Sequence, residues 1–117
     1  MRILHASFLV SNLEAAHRFY TDVLGLNNLP RPDLGFSGAW YGLEGGQQIH
    51  LMQLPGAGEE QSGHGGRDRH VAFSVEDLDA LVLRLVKADI AYTTSRSGRS
   101  AVFCRDPDGN ALEFVQS

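Results

Sequence analysis

Four side chains of this 117-residue chain have the donor chemistry of a metal site: His5, His50, His70 and Glu113. They stand at equivalent places in two similar halves. Laying His70 on His5 brings Phe8, Val10, Leu13 and Ala15 onto Phe73, Val75, Leu78 and Ala80. A second match brings Trp40, Gly46, Ile49, His50, Leu51 and Gln53 onto Phe103, Gly109, Leu112, Glu113, Phe114 and Gln116, at an offset two residues shorter. Recurrence at a fixed offset marks an internal repeat. A lone histidine on a strand is more often structural than ligating, but metal-capable residues at all four repeat positions need a common cause. Imidazole nitrogen and carboxylate oxygen suit Zn, Ni, Co, Mn or Fe(II). The single cysteine, Cys104, falls where no ligand is expected and reads as a core residue.

The elements that must position these groups follow from periodicity. Residues 3–10 are apolar and β-prone and predict a strand. Ser11-Asn12-Leu13-Glu14 has the form of a capping box, and Leu13, Ala16, Tyr20, Val23 and Leu24 follow at helical spacing up to Gly25, so a helix is expected over 12–24. Residues 26–31 form a weak strand closed by Pro30 and Pro32, 36–43 a better one, Glu44-Gly45-Gly46 a turn and 47–54 a returning strand. Alternation puts Gln48, His50 and Met52 on one face, with Ile49 and Leu51 on the other. The glycine-rich stretch 55–68 reads as an exposed linker. The pattern then repeats: a strand over 69–75, a helix over 77–88 begun at Glu76 or Asp77, strands over 91–95 and 100–105, the turn Asp106-Pro107-Asp108-Gly109-Asn110, and a strand over 111–116.

Each half is therefore a βαβββ module, 1–54 and 69–117, in an α+β chain. One such module leaves the sheet face away from its helix bare. Two modules can cover those faces and bring all four candidate ligands to a shared, curved, sheet-lined cavity.

Composition narrows the function. A formal charge of -4 argues against nucleic acid and anionic membrane as partners. No apolar run is long enough to span a bilayer. The start of the chain lacks signal-peptide form, and one cysteine permits no internal disulfide. A cytoplasmic location is expected.

Two stretches carry a family resemblance: Leu13-Glu14-Ala15-Ala16-His17-Arg18-Phe19-Tyr20-Thr21-Asp22-Val23-Leu24-Gly25-Leu26 after His5, and Phe103-Cys104-Arg105-Asp106-Pro107-Asp108-Gly109-Asn110-Ala111-Leu112-Glu113-Phe114. Through them the whole chain resembles the vicinal oxygen chelate superfamily, which includes glyoxalase I, fosfomycin-resistance thiol transferases, extradiol dioxygenases and bleomycin-binding proteins. Bacterial glyoxalase I is the nearest in look. The resemblance implies paired βαβββ modules around a divalent metal held by His5, His50, His70 and Glu113, and a homodimer. If modules pair between chains, His5 and His50 come from one subunit, and His70 and Glu113 from the other.

The chain departs from bacterial glyoxalase I in ways that bear on chemistry. His50 stands where that enzyme has a carboxylate. Three neutral imidazoles and one carboxylate leave a divalent ion about one charge more positive, a stronger Lewis acid. Glu113 becomes the one carboxylate in the ligand set able to act as a proton-transfer base. Leu9 and Leu54 replace an arginine and an asparagine that would bind glutathione.

The resemblance thus implies a metal-dependent lyase, isomerase or thiol transferase acting on a small molecule that chelates the metal through adjacent oxygens. Two alternatives remain. One is a non-haem Fe(II) dioxygenase using His5, His70 and Glu113; the other is a binding or resistance protein without turnover. Trp40 and Phe103 could line the cavity or belong to the core. Arg69, Arg96, Arg99 and Arg105 read as solvated charges that could otherwise bind a substrate anion. His64 reads as a water-facing or lid residue, and His17 as a surface residue.

Overall fold

The structure, a computed structural model, describes residues 1–57, 63–67 and 69–117. The rest of the 55–68 segment, residues 58–62 and 68, lies outside the described residues. Backbone contacts divide the chain into two compact units, Met1–Glu59 and Glu60–Ser117. Each is an open four-stranded mixed sheet, so the chain is α+β.

In the first unit the elements run β1 (His5–Leu9), α1 (Leu13–Arg18), a π turn (Phe19–Val23), β2 (Asn27–Leu29), β3 (Gly38–Gly42) and β4 (Gln48–Met52). The sheet order is β1-β4-β3-β2, with β1 parallel to β4 and the other pairs antiparallel. In the second unit they run β5 (His70–Val75), α2 (Leu78–Lys87), β6 (Tyr92–Thr94), β7 (Ala101–Arg105) and β8 (Ala111–Gln116). The order β5-β8-β7-β6 repeats the first sheet strand for strand.

Strand alternation decides which faces are buried. Ile49, Leu51, Tyr41 and Ala39 pack with Val10, Ala16 and Tyr20, and all are buried. Leu112, Phe114, Val102 and Cys104 are buried on the matching face of the second sheet, and Leu78, Leu81 and Leu85 of α2 are buried with them. Fully burying such a side chain contributes about 1.5–3 kcal/mol. His5, His50, His70 and Glu113 occupy the opposite parity.

Each helix is tied to the last strand of its own sheet by the same device. Gln53 Oε1 accepts from the Leu13 backbone N–H at 2.8 Å, and Gln116 Oε1 accepts from Leu78 N–H at 2.9 Å. Helix starts leave N–H groups without internal partners. The sequence repeat thus preserves a tertiary helix cap along with an apolar pattern.

Three expectations are corrected here. Asn12, not Ser11, caps α1: it is extended and its Oδ1 accepts from Ala15 N–H at 3.1 Å. Glu14 instead pairs with Arg18 at 2.9 Å. The first helix does not stay α-helical through residue 24. It widens into the π turn, where the Leu24 N–H bonds Phe19 O and Thr21 Oγ1 bonds back to His17 O at 2.6 Å. A hydroxyl competing for the helical carbonyls accompanies such a bulge, and the wider turn lets Phe19 and Tyr20 both be buried. Nor is the end of the 55–68 segment an exposed linker: residues 65–67 form a 3-10 turn, and Gly65 is buried so close to Ala111 that a Cβ there would come within 2.9 Å of the alanine Cβ. Asp77 caps α2, accepting from Ala80 N–H at 2.9 Å.

Candidate functional site

In the first sheet the register sets Ser7 opposite His50 and His5 opposite Gln48. His5 and His50 are therefore diagonal neighbours on one face, and their rings stack with centroids 4.1 Å apart and planes 11° from parallel. Trp40 lies opposite His50 on β3 and stacks on its other side at 4.5 Å. Three rings from three adjacent strands form one column. Gln48 Oε1 accepts from His50 Nε2 at 2.8 Å. With Gln48 Oε1 as acceptor, this contact fits the His50 tautomer that carries its proton on Nε2 and its lone pair on Nδ1. Desolvation, the His5 ring and the Arg31 charge together lower the His50 pKa below its ordinary 6.5. Holding the imidazole neutral is what metal ligation requires.

The second sheet repeats the diagonal. Ala72 lies opposite Glu113, and His70, two residues earlier, reaches across. His70 Nε2 is 3.2 Å from Glu113 Oε2. Arg99 Nη2 donates to the other oxygen, Oε1, at 2.9 Å. Phe103, opposite Glu113 on β7, packs its ring edge-on to His70. Glu113 is only 2% exposed, and an unpaired carboxylate at that depth would be costly. A cavity of about 480 Å³ opens at this pair, lined also by His64, Ser95, Arg96, Arg99 and Phe103.

All four donors suit a divalent ion in chemistry, and His70 with Glu113 suits one in spacing as well; His5 and His50 are stacked face to face and do not aim at a common point. Neighbouring ligands each about 2.0–2.2 Å from one ion stand roughly 3 Å apart, close to the 3.2 Å between His70 Nε2 and Glu113 Oε2. Gln48 on the far nitrogen of His50 has the form of the outer partner that orients a ligating imidazole. Among the described residues no three His, Cys, Asp or Glu side chains gather around one point; the four candidates form two pairs, one in each unit.

Several residues differ from their sequence reading. Arg99 is not simply a solvated charge but the ionic partner of Glu113. Arg105 donates to Gly109 O at 2.9 Å and to Gly63 O at 3.3 Å, bracing the turn before β8. In that turn the buried Asp106 accepts from Asp108 and Asn110 N–H at 3.0 and 2.9 Å. His64 does not face water freely: it is half-buried, 2.6 Å from Thr93 Oγ1 through Nδ1, with its ring against Phe103. Its place beside the cavity depends on a long-range contact with no local sequence signal. His17 is likewise not a bare surface residue; its Nδ1 lies 2.7 Å from the Tyr41 hydroxyl. Burial pushes the Tyr41 phenol up to about 12, so it stays protonated and can donate to that nitrogen. Cys104 is buried and its thiol is pushed up to about 12, first by burial and then by Asp106.

This doubled sheet, with its candidate pairs at equivalent registers, has counterparts. The model of the Glyoxalase/Bleomycin resistance protein/Dioxygenase superfamily matches residues 2–114. The chain belongs to that superfamily. It is also similar, at 30% identity over 127 aligned positions, to a lactoylglutathione lyase of Haemophilus influenzae, covering 100% of this chain and 93% of the relative. Among superfamily structures, the glyoxylase/bleomycin resistance protein/dioxygenase domain from Frankia sp. EAN1pec is 31% identical with a TM-score of 0.79, covering 100% of this chain and 98% of that one. The antibiotic binding protein TnmS3 from Streptomyces sp. CB03234 shares the fold at 21% identity and a TM-score of 0.76, covering 99% and 95%. The vicinal oxygen chelate resemblance read from the two sequence stretches is borne out. No helix among the described residues is long and apolar enough to cross a membrane.

Proposed function

We propose that this superfamily member is a metal-dependent enzyme of the glyoxalase-like type, with lyase, isomerase or thiol-transferase chemistry. Its substrate would be a small molecule with two adjacent oxygens and an anionic group. The observation that carries the reading is the His70–Glu113 pair, set at ligand spacing beside a cavity edged by Arg96 and Arg99.

His5, His50, His70 and Glu113 are the residues that would hold the metal. The ion, when bound, would act as a Lewis acid on the chelating oxygens. Arg99 occupies Oε1 of Glu113 and fixes the carboxylate plane; Glu113 is the one carboxylate of the set that would take up a substrate proton. Arg96 lines the same cavity and supplies positive charge for a substrate anion. Phe103 and His64 wall the cavity and limit water around Oε2. Leu9 and Leu54 offer no polar group where bacterial glyoxalase I would bind glutathione, which favours a substrate other than a glutathione adduct.

The test is elemental analysis of the untagged protein beside Glu113→Ala. About one Zn, Ni, Co or Mn per site, lost in the variant, is the expected result, and it directs screening to α-keto and 2-hydroxy substrates with and without thiols. Iron would favour a dioxygenase instead. No metal after incubation with excess divalent ions would overturn the enzyme reading and leave a binding protein.

A further inference from the structure

The first unit holds a second cavity, of about 560 Å³, whose lining includes Glu14, His17, Asn28, Leu29, Arg31 and Gly38. None of these is a candidate metal ligand. Arg31 follows β2 and lies beside Gly38. A Cβ on Gly38 would stand 3.0 Å from both Cζ and Nε of Arg31 and would collide with the Leu51 carbonyl oxygen. Only glycine there leaves room for the guanidinium.

The Phe36 ring lies 4.9 Å from Arg31 Cζ and covers one face of the cation. That leaves the plane of the guanidinium for hydrogen bonds. Yet Nε and Nη2 are closed to solvent and have no hydrogen-bond partner among the described residues. These two nitrogens form one edge of the guanidinium, and their N–H bonds run parallel. That edge matches two oxygens of a carboxylate or phosphate. Buried donors left without partners are rare and costly, and a pair on the same edge calls for one shared acceptor. Glu14, the one carboxylate in the lining, is itself paired with Arg18 at 2.9 Å.

We propose that Arg31 is the anchor of an oxyanion-binding site in the first unit, taking a carboxylate or phosphate group in bidentate fashion through Nε–H and Nη2–H. No candidate metal ligand lines this site, although the Arg31 charge is felt at His50. Once seated, the oxyanion is shielded from water, where a charge-assisted bidentate pair is strongest.

The experiment is a titration of the full-length, metal-free protein with acetate, inorganic phosphate and, as control, chloride. It is read on the Arg31 Nε–H signal in a proton–nitrogen correlation spectrum. Side-chain triple-resonance assignment of the unsubstituted protein identifies that signal even if a variant misfolds. The expected result is a saturable shift with acetate or phosphate, and a Kd about tenfold weaker or worse in Arg31→Lys and Arg31→Gln, followed through the backbone signals of Gly38 and Asn28. The tighter of the two anions names the ligand class. An equal shift with chloride, no saturable shift with either oxyanion, or unchanged affinity in folded variants would each overturn the proposal.

Discussion

Arg99 holds Glu113 by the oxygen that faces away from His70. The Nη2–Oε1 distance is 2.9 Å, and the two partners differ sharply in depth: the Arg99 side chain is 59% exposed and that of Glu113 only 3%. The pair therefore has one wet end and one dry end. A fully buried pair would cost several kcal/mol to break, but solvent reaching the guanidinium screens this one. Arg99→Gln should destabilise the protein by about 1–2 kcal/mol, lowering Tm by roughly 4 °C or more. A double-mutant cycle with Glu113→Gln checks it by thermal melting. Purely additive effects would show that the contact contributes nothing.

Subunit exchange separates the two ways of completing a metal site. Suppose His5 and His50 of one chain meet His70 and Glu113 of another. A mixed dimer of His5→Ala and Glu113→Ala then contains one intact ligand set, although each parent has none. Mixing the two variants should restore roughly half of the wild-type metal content per mixed dimer. If each chain completes its own set, mixing restores nothing. Sedimentation and metal analysis on the same samples decide between them.

His50 gives stability a pH dependence of fixed sign. Its folded pKa is lowered, by desolvation first and then by His5 and Arg31. The unfolded chain therefore takes up a proton more readily. Its stabilising contribution is complete above the ordinary value of 6.5 and is lost as pH falls through the lower folded pKa. Melting temperatures of the metal-free protein should fall on acidification below that value, and fall less steeply in His50→Asn. Parallel curves for the two proteins would contradict this.

The duplicated caps make a matched pair of substitutions. Gln53→Ala and Gln116→Ala each remove the acceptor from a helix N-terminal N–H, at Leu13 and Leu78 respectively. Each should cost about 1 kcal/mol. The caps share no partner, so the double variant should show the sum, as measured by urea denaturation.

Cys104 should be inert in the native protein. Burial and Asp106 push its thiol up to about 12, and the thiolate is the reactive form. A chromogenic disulfide reagent at mildly alkaline pH should label none of the native chain and one thiol per chain in denaturant. Fast native labelling would mean that β7 opens readily.

Much of this architecture was legible in local pattern. Period-two alternation placed His50 with Gln48 and Met52, and the repeat aligned Gln53 with Gln116 before either was known to cap a helix. Side chains whose roles depend on long-range contacts were not legible. Arg99 meets Glu113 only because β7 and β8 run antiparallel past the turn at 95–100. His64 reaches Thr93 only because the chain folds back over β7. Asn12 and Ser11 are both good caps by type, and backbone conformation chose between them. The π turn coincides with a hydroxyl bond from Thr21 to His17 O, and no apolar period flags Thr21.

The column of rings across β1, β4 and β3 also makes the two units optically unequal. Trp40 is the sole tryptophan of the chain and rests on His50, while Phe103 takes its place in the second unit and is dark under tryptophan excitation. Protonation or ligation of His50 would alter the quencher in contact with the indole. The emission of this protein is thus a reporter wired to one half of the candidate site, and occupancy there can be followed without a label.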